Sequence, residues 1–232
     1  MTASENIPVV LIHGWASSFK DTWQKTGIDA LLEDMGRRVV GVDLLGHGSA
    51  PKPHDPEAYL GLPDYLLEIL EVEGPQVDAV GFSLGALTLL RAVTLRPDRF
   101  RRVVLAGIGD GVFTPRDPNE GKRIVAALEG HAEDGDTGAL VFANYANRPG
   151  NDVVALTAIM KRPASPPTEK LDLAKFDSPV LVVIGDKDFA HPATQLASAF
   201  PQGRLVELRN TDHFATPESF AFIDVLLEFM AP

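Results

Sequence analysis

The chain has 232 residues, with 21 Lys and Arg against 32 Asp and Glu for a formal charge of −11, and it is 45% hydrophobic and 23% charged. This is the composition of a globular protein of one or two domains, long enough to bury about 70% of its unfolded surface without staples; it excludes a disordered chain, and its negative balance argues against nucleic acid or an anionic membrane as a main partner. A cysteine count of zero removes disulfides, thiolate metal sites and a cysteine nucleophile together, and it fits a reducing, cytoplasmic compartment.

Residues 1–8 show no basic region followed by an apolar stretch, so no signal peptide is expected. No apolar run approaches the ~20 residues of a membrane-crossing helix. Short apolar runs recur at 9–12, 39–42, 77–80, 103–106, 180–184 and 204–208. They are rich in β-branched residues and alternate little, as strands buried on both faces do. Between them, helical spacing runs over about 22–35, 58–71, 84–95, 193–200 and 217–230. Strand and helix in alternation imply right-handed crossovers and a mostly parallel, doubly wound α/β sheet. The one basic stretch, Arg99-Phe100-Arg101-Arg102, reads as a solvated turn between helix and strand.

The interval 110–177 breaks this rhythm. It holds no strand-like run and three helical candidates. The first opens at Asp117-Pro118-Asn119-Glu120, a cap followed by a proline and by a glutamate three residues on. The second covers about 137–146, and the third about 152–161 with Asn151 as its cap. Residues 162–167 are proline-rich and read as a linker. Sixty-odd residues make a poor independent core, so 110–177 is expected to be a helical cap inserted into a core made of 1–109 and 178–232.

The sharpest chemical signal is Gly81-Phe82-Ser83-Leu84-Gly85, set between an expected strand and an expected helix. A serine on so tight a turn takes a strained backbone conformation that lifts its hydroxyl above the sheet edge. Side chains two positions before or after it would collide with the neighbouring strand and helix. The helix N-terminus also aims its partial positive charge at the serine. The bland alternative is a serine that only caps the helix starting at Leu84.

A serine needs a base. Among histidines 13, 47, 54, 131, 191 and 213, His213 lies after the last strand and before the last helix, where a parallel sheet places functional loops. His191 also follows a strand, but in a segment better suited to the acid. His54 and His131 lie in polar loops, and His13 and His47 read as structural, holding their loops by hydrogen bonds. The base in turn needs a carboxylate. Asp188 is the first choice, Asp186 the second and Asp110 the third.

Four features together resemble the α/β-hydrolase superfamily, in its serine-nucleophile esterase and lipase-like branch. They are Val10-Leu11-Ile12-His13-Gly14-Trp15, Gly41-Val42-Asp43-Leu44-Leu45-Gly46-His47-Gly48-Ser49, the serine turn, and Gly185–Asp188 followed by His213. The resemblance implies Asp188 as the acid, three residues past the glycine that ends its strand. It implies an oxyanion hole from the backbone N–H groups of Leu84 and Trp15. The Trp15 indole would line the acyl pocket or pack beneath the insertion. Asp212 stands where the family usually has glycine, adding a negative charge beside His213. Only eight residues precede position 9, so the family's first two strands are expected to be missing and the sheet to have six strands, all parallel.

The chemistry implied is hydrolysis of a carboxylic ester of a small, mostly apolar substrate through an acyl-serine. The apolar runs 139–142 and 153–156 suggest a hydrophobic acyl pocket. The same triad would serve a lactone, a thioester, carbon–carbon cleavage, perhydrolysis or acyl transfer, and the scaffold without turnover would serve a ligand-binding protein. No metal spacing and no glycine-rich cofactor loop is present, so no cofactor is expected.

Overall fold

In the computed structural model, which describes residues 7–115 and 117–232, the side chains of β1 (Val9–Ile12) divide between two cores. Val10 and Ile12 join the apolar cluster on one side of the sheet, and Val9 and Leu11 the cluster on the other. Successive side chains of a strand point to opposite faces, so a strand covered on both sides must be apolar throughout. β3 (Val77–Phe82) and β5 (Val180–Gly185) are likewise buried at every residue, with Asp78 of β3 the one charged side chain among them. With β2 (Val39–Val42), β4 (Phe100–Ala106) and β6 (Gly203–Leu208) they form one six-stranded sheet in the order β2-β1-β3-β4-β5-β6. Every neighbouring pair is parallel. Residues 1–6, on which the expectation of no leader partly rests, lie outside the described residues.

The helices, in chain order, are α1 (Ile28–Asp34), α2 (Leu62–Leu70), α3 (Leu84–Leu95), α4 (Pro118–Leu128), α5 (Thr137–Ala146), α6 (Val153–Lys161), α7 (Lys170–Leu173), α8 (Thr194–Ser198) and α9 (Phe220–Met230). Apolar residues of α1 and α9 cover one face of the sheet. Those of α2, α3 and α8, together with parts of α4 and α6, cover the other. No helix among the described residues is long and apolar enough to cross a membrane.

The order places β1 between β2 and β3, so the chain leaves β1 in one direction and returns on its other side. The crevice at the carboxyl ends of β1 and β3 is the switch point where such sheets bind ligands.

The helical stretch expected over 22–35 is split. A single π-turn, Lys20–Gln24, precedes α1, and Gly27 at φ +76° separates them. The third helix of the interval 110–177 is capped by Asp152, whose side chain accepts from Ala155 N–H at 3.0 Å, and not by Asn151. A short fourth helix, α7, adds to the three expected in this interval.

The basic stretch 99–102 is not a solvated turn. Arg99 is buried and donates to the carbonyls of Leu70 and Gly74, and Phe100 is in the core. Arg101 makes two bonds to the fully buried Asp78, which Arg37 also holds at 2.5 Å. Arg102 donates to the carbonyls of Phe229 and Ala231. Arg102, with Arg37 donating to the Met230 carbonyl, ties the amino-terminal end of the sheet, opposite the crevice, to α9, and Arg99 ties it to the end of α2.

At the crevice end, the loop after β2 is fastened to the loop after β1. The His13 ring donates through Nδ1 to the Gly14 carbonyl at 2.7 Å and accepts the Leu44 N–H at Nε2, 3.1 Å away. His47 lies edge-on to it, with ring centroids 4.9 Å apart, and donates to the Leu45 carbonyl. Burial lowers the pKa of His13; burial, and then proximity to His13, pushes that of His47 down to about 3.

Two outcomes are expected. Replacing Asp78 with alanine strands Arg37 and Arg101, so unfolding in urea should register a loss of roughly 3–5 kcal/mol; a loss under 1 kcal/mol would mean the cluster is not a buried ion network. The buried histidines stay neutral when folded but take up protons near pH 6.5 when unfolded. For His47 this stabilisation is therefore complete above that pH and is lost as pH falls toward about 3, at up to ~1.4 kcal/mol per pH unit, and His13 acts in the same direction. His47→Gln should flatten the fall of unfolding free energy between pH 6.5 and 4.5; parallel curves for wild type and variant would contradict this.

Candidate functional site

Ser83 sits between β3 and α3 with φ 53° and ψ −114°, a left-handed conformation that side-chain-bearing residues rarely adopt. The flanking glycines are required by close approach. A Cβ on Gly85 would stand 2.4 Å from the Ile12 carbonyl oxygen, and one on Gly81 would stand 2.7 Å from Ala86 N and Cα. The serine is thereby pushed out of the sheet, and its own N–H is held by the Ala106 carbonyl at 2.9 Å.

Oγ of Ser83 lies 2.9 Å from Nε2 of His213, which comes from the loop after β6. Nδ1 of His213 lies 3.0 and 2.9 Å from the two carboxylate oxygens of Asp188, from the loop after β5. A carboxylate only accepts, so Nδ1 carries the proton and Nε2 is free to accept from the serine hydroxyl. His213 and Asp188 are buried. Asp188 is further fixed by the Ala190 N–H, 2.8 Å from Oδ1.

The other acids are engaged elsewhere. Asp186 accepts the Thr211 N–H at 3.3 Å, bracing the loop that presents His213, and Asp110 accepts the Leu196 N–H of α8 at 2.9 Å. Asp212 accepts the Ala215 N–H and is exposed. Of the remaining histidines, His191 pairs with Glu207 and His54 with Asp152, both at 3.1 Å.

A cleft opens onto Ser83 with two unlike walls. One is aromatic. Phe142 and Tyr145 of α5 meet Trp15 and Phe214, and Phe142 also meets Phe189. The imidazole of His213 is enclosed by Phe189, Phe82 and Phe214, with ring centroids at 4.3, 5.0 and 5.5 Å. The other wall carries Ser17, Asp21, Thr22, Thr26 and Glu218. Burial alone would raise the Asp21 pKa, but hydrogen bonds from Lys25 and Ser18 outweigh it and hold the carboxyl below its ordinary value, an anion at neutral pH. Neither Lys nor Arg lines the cleft among the described residues; Arg148 lies over the Tyr145 ring, 3.5 Å from its centroid.

Trp15 is among the residues lining the cleft, and its indole donates to the Leu156 carbonyl of α6 at 3.3 Å. Leu84 is the first residue of α3. Its backbone N–H and that of Trp15 belong to the two segments that flank Ser83. Gly14 packs so close that a Cβ on it would stand 3.3 Å from Ser83 Cβ. The aromatic enclosure of His213 was not anticipated, although Phe189 and Phe214 directly follow Asp188 and His213 in the chain.

Comparison with known proteins gives the same architecture with varied chemistry. A 2-hydroxymuconate semialdehyde hydrolase from Pseudomonas putida is 32% identical over 105 residues, which is 44% of this chain and 37% of that protein, little more than a third of the relative's length. An enol-lactonase from Burkholderia xenovorans LB400 superposes with a TM-score of 0.77 at 19% identity, covering 100% of this chain and 94% of that one. An esterase from Exiguobacterium antarcticum gives 0.74 at 21% identity, with 97% and 92% covered. The model of the Alpha/beta hydrolase family matches residues 9–223, nearly the whole of the described chain, and the protein therefore belongs to that family.

Proposed function

We propose that this protein is a serine hydrolase that cleaves a carboxylic ester of a small, uncharged, mostly apolar substrate. The observation that carries the reading is the continuous line of hydrogen bonds from Asp188 through His213 to Ser83 Oγ. In this reading, Nε2 of His213 takes the hydroxyl proton as Oγ attacks the ester carbonyl, and Asp188 steadies the imidazolium. The backbone N–H groups of Leu84 and Trp15 stabilise the oxyanion, each contributing roughly 3 kcal/mol. His213 then returns the proton to the leaving alcohol, and water, deprotonated by the same nitrogen, releases the acid.

Residues 110–177 act as a cap over a core of 1–109 and 178–232, since Phe142 and Tyr145 supply the aromatic wall. A cytoplasmic setting goes with the absence of cysteine. Esters are favoured over the carboxylate-bearing substrate named for the Pseudomonas putida relative by the charge of the cleft. Glu218 and Asp21, the latter paired with Lys25, line it and among the described residues no Lys or Arg does, so a substrate carboxylate would be desolvated without a partner.

p-Nitrophenyl butyrate should be turned over, and Ser83→Ala and Asp188→Asn should each lower kcat by roughly 10³–10⁴ with folding intact. Negatively charged p-nitrophenyl hemisuccinate should show a kcat/KM at least about tenfold lower than the butyrate. Hydrolysis that persists in Ser83→Ala would overturn the nucleophile, and equal rates on the two esters would overturn the substrate class.

A further inference from the structure

The loop that follows β1 is held in an unfavourable shape. Ala16 has φ +58°, a left-handed value costly for alanine. A conformation of this kind persists only where its surroundings enforce it. Two groups of the interval 110–177 grip the loop. The Trp15 indole donates to the Leu156 carbonyl at 3.3 Å. The Asn151 amide nitrogen donates to the Ala16 carbonyl at 3.1 Å and to the Tyr145 carbonyl at 3.2 Å. An amide nitrogen has two protons, so one half-buried side chain ties the end of α5 to the strained peptide. Asn151 is available for this because Asp152 caps α6.

We propose, on the reading of the site given above, that Asn151 is a positioning residue for the reaction. By fixing the Ala16 peptide it holds the preceding Trp15 N–H toward the place where the oxyanion forms. It touches no reacting atom itself. An oxyanion donor acts on charge that develops in the transition state, so its misalignment lowers kcat and leaves ground-state binding alone. A residue that merely fastens the insertion would act otherwise. Its loss would loosen the wall formed by Phe142 and Tyr145 and would raise KM.

The test compares wild type with Asn151→Ala on p-nitrophenyl butyrate, alongside a trifluoromethyl ketone whose serine adduct carries an oxyanion. The expected result is a fall in kcat of about ten- to a hundredfold, a KM within twofold of wild type, and inhibition by the ketone weakened by a factor similar to that in kcat/KM. Asn151→Asp keeps the volume while removing both donors, and it is read in the same way if the alanine variant is unstable. An unchanged kcat, or a loss confined to KM with ketone binding intact, overturns the role of Asn151 and leaves the ester-hydrolase reading standing. A wild type that neither turns over the ester nor binds the ketone overturns both.

Discussion

At Ser83 the backbone turns through φ 53° and ψ −114°, a conformation that costs a residue with a side chain on the order of 1–3 kcal/mol. The rest of the molecule is built so that this cost is met. β3 lies between β1 and β4 with every residue buried, and α3 packs so tightly over β1 that Gly85 stands against the Ile12 and His13 carbonyls. Had either flanking glycine a Cβ, strand and helix would have to separate, and the serine would sink back toward the sheet. Sheet packing, strain and the direction of one hydroxyl are thus a single constraint.

The chemistry offered to that hydroxyl comes from three other strand ends. β1 leads to Gly14 and Trp15, β5 to Asp188 and β6 to His213. None of these loops is left to itself. Asp186 braces the His213 loop through Thr211, the buried His13 fastens the loop after β2, and Trp15 and Asn151 bind the loop after β1 to the helices of 110–177. Around the imidazole, Phe82, Phe189 and Phe214 limit the water that reaches the His213–Asp188 pair. The solved structures that superpose on this fold include an esterase and an enol-lactonase, so the bond cleaved is decided by cleft residues and not by the scaffold.

The six strands were readable because each carries a short apolar, β-branched run, most nearly unbroken in β1 and β5, which face two cores at once. Ser83, Asp188 and His213, 105 and 25 residues apart along the chain, stand within hydrogen-bond distance in the fold. Each follows a strand, and local pattern pointed to Ser83 and His213, while the choice of Asp188 over Asp186 and Asp110 came from the resemblance to the family. What stayed hidden depends on partners remote in sequence. Arg101 looked solvated because its carboxylate, Asp78, is on another strand. Asn151 looked like a helix cap because Asp152 beside it has the same capability, and one of its two acceptors, Ala16, is 135 positions away. The cage around His213 joins residues from β3 and two loops, a grouping that no local period encodes.

The most direct measurement is the site and stoichiometry of covalent capture by a fluorophosphonate, read by peptide mass spectrometry on wild type and on His213→Ala. The account predicts one adduct per chain, on the peptide containing Ser83, formed at least about a thousandfold more slowly without the imidazole. An adduct on another residue, or labelling of Ser83 that proceeds equally fast in His213→Ala, would contradict it.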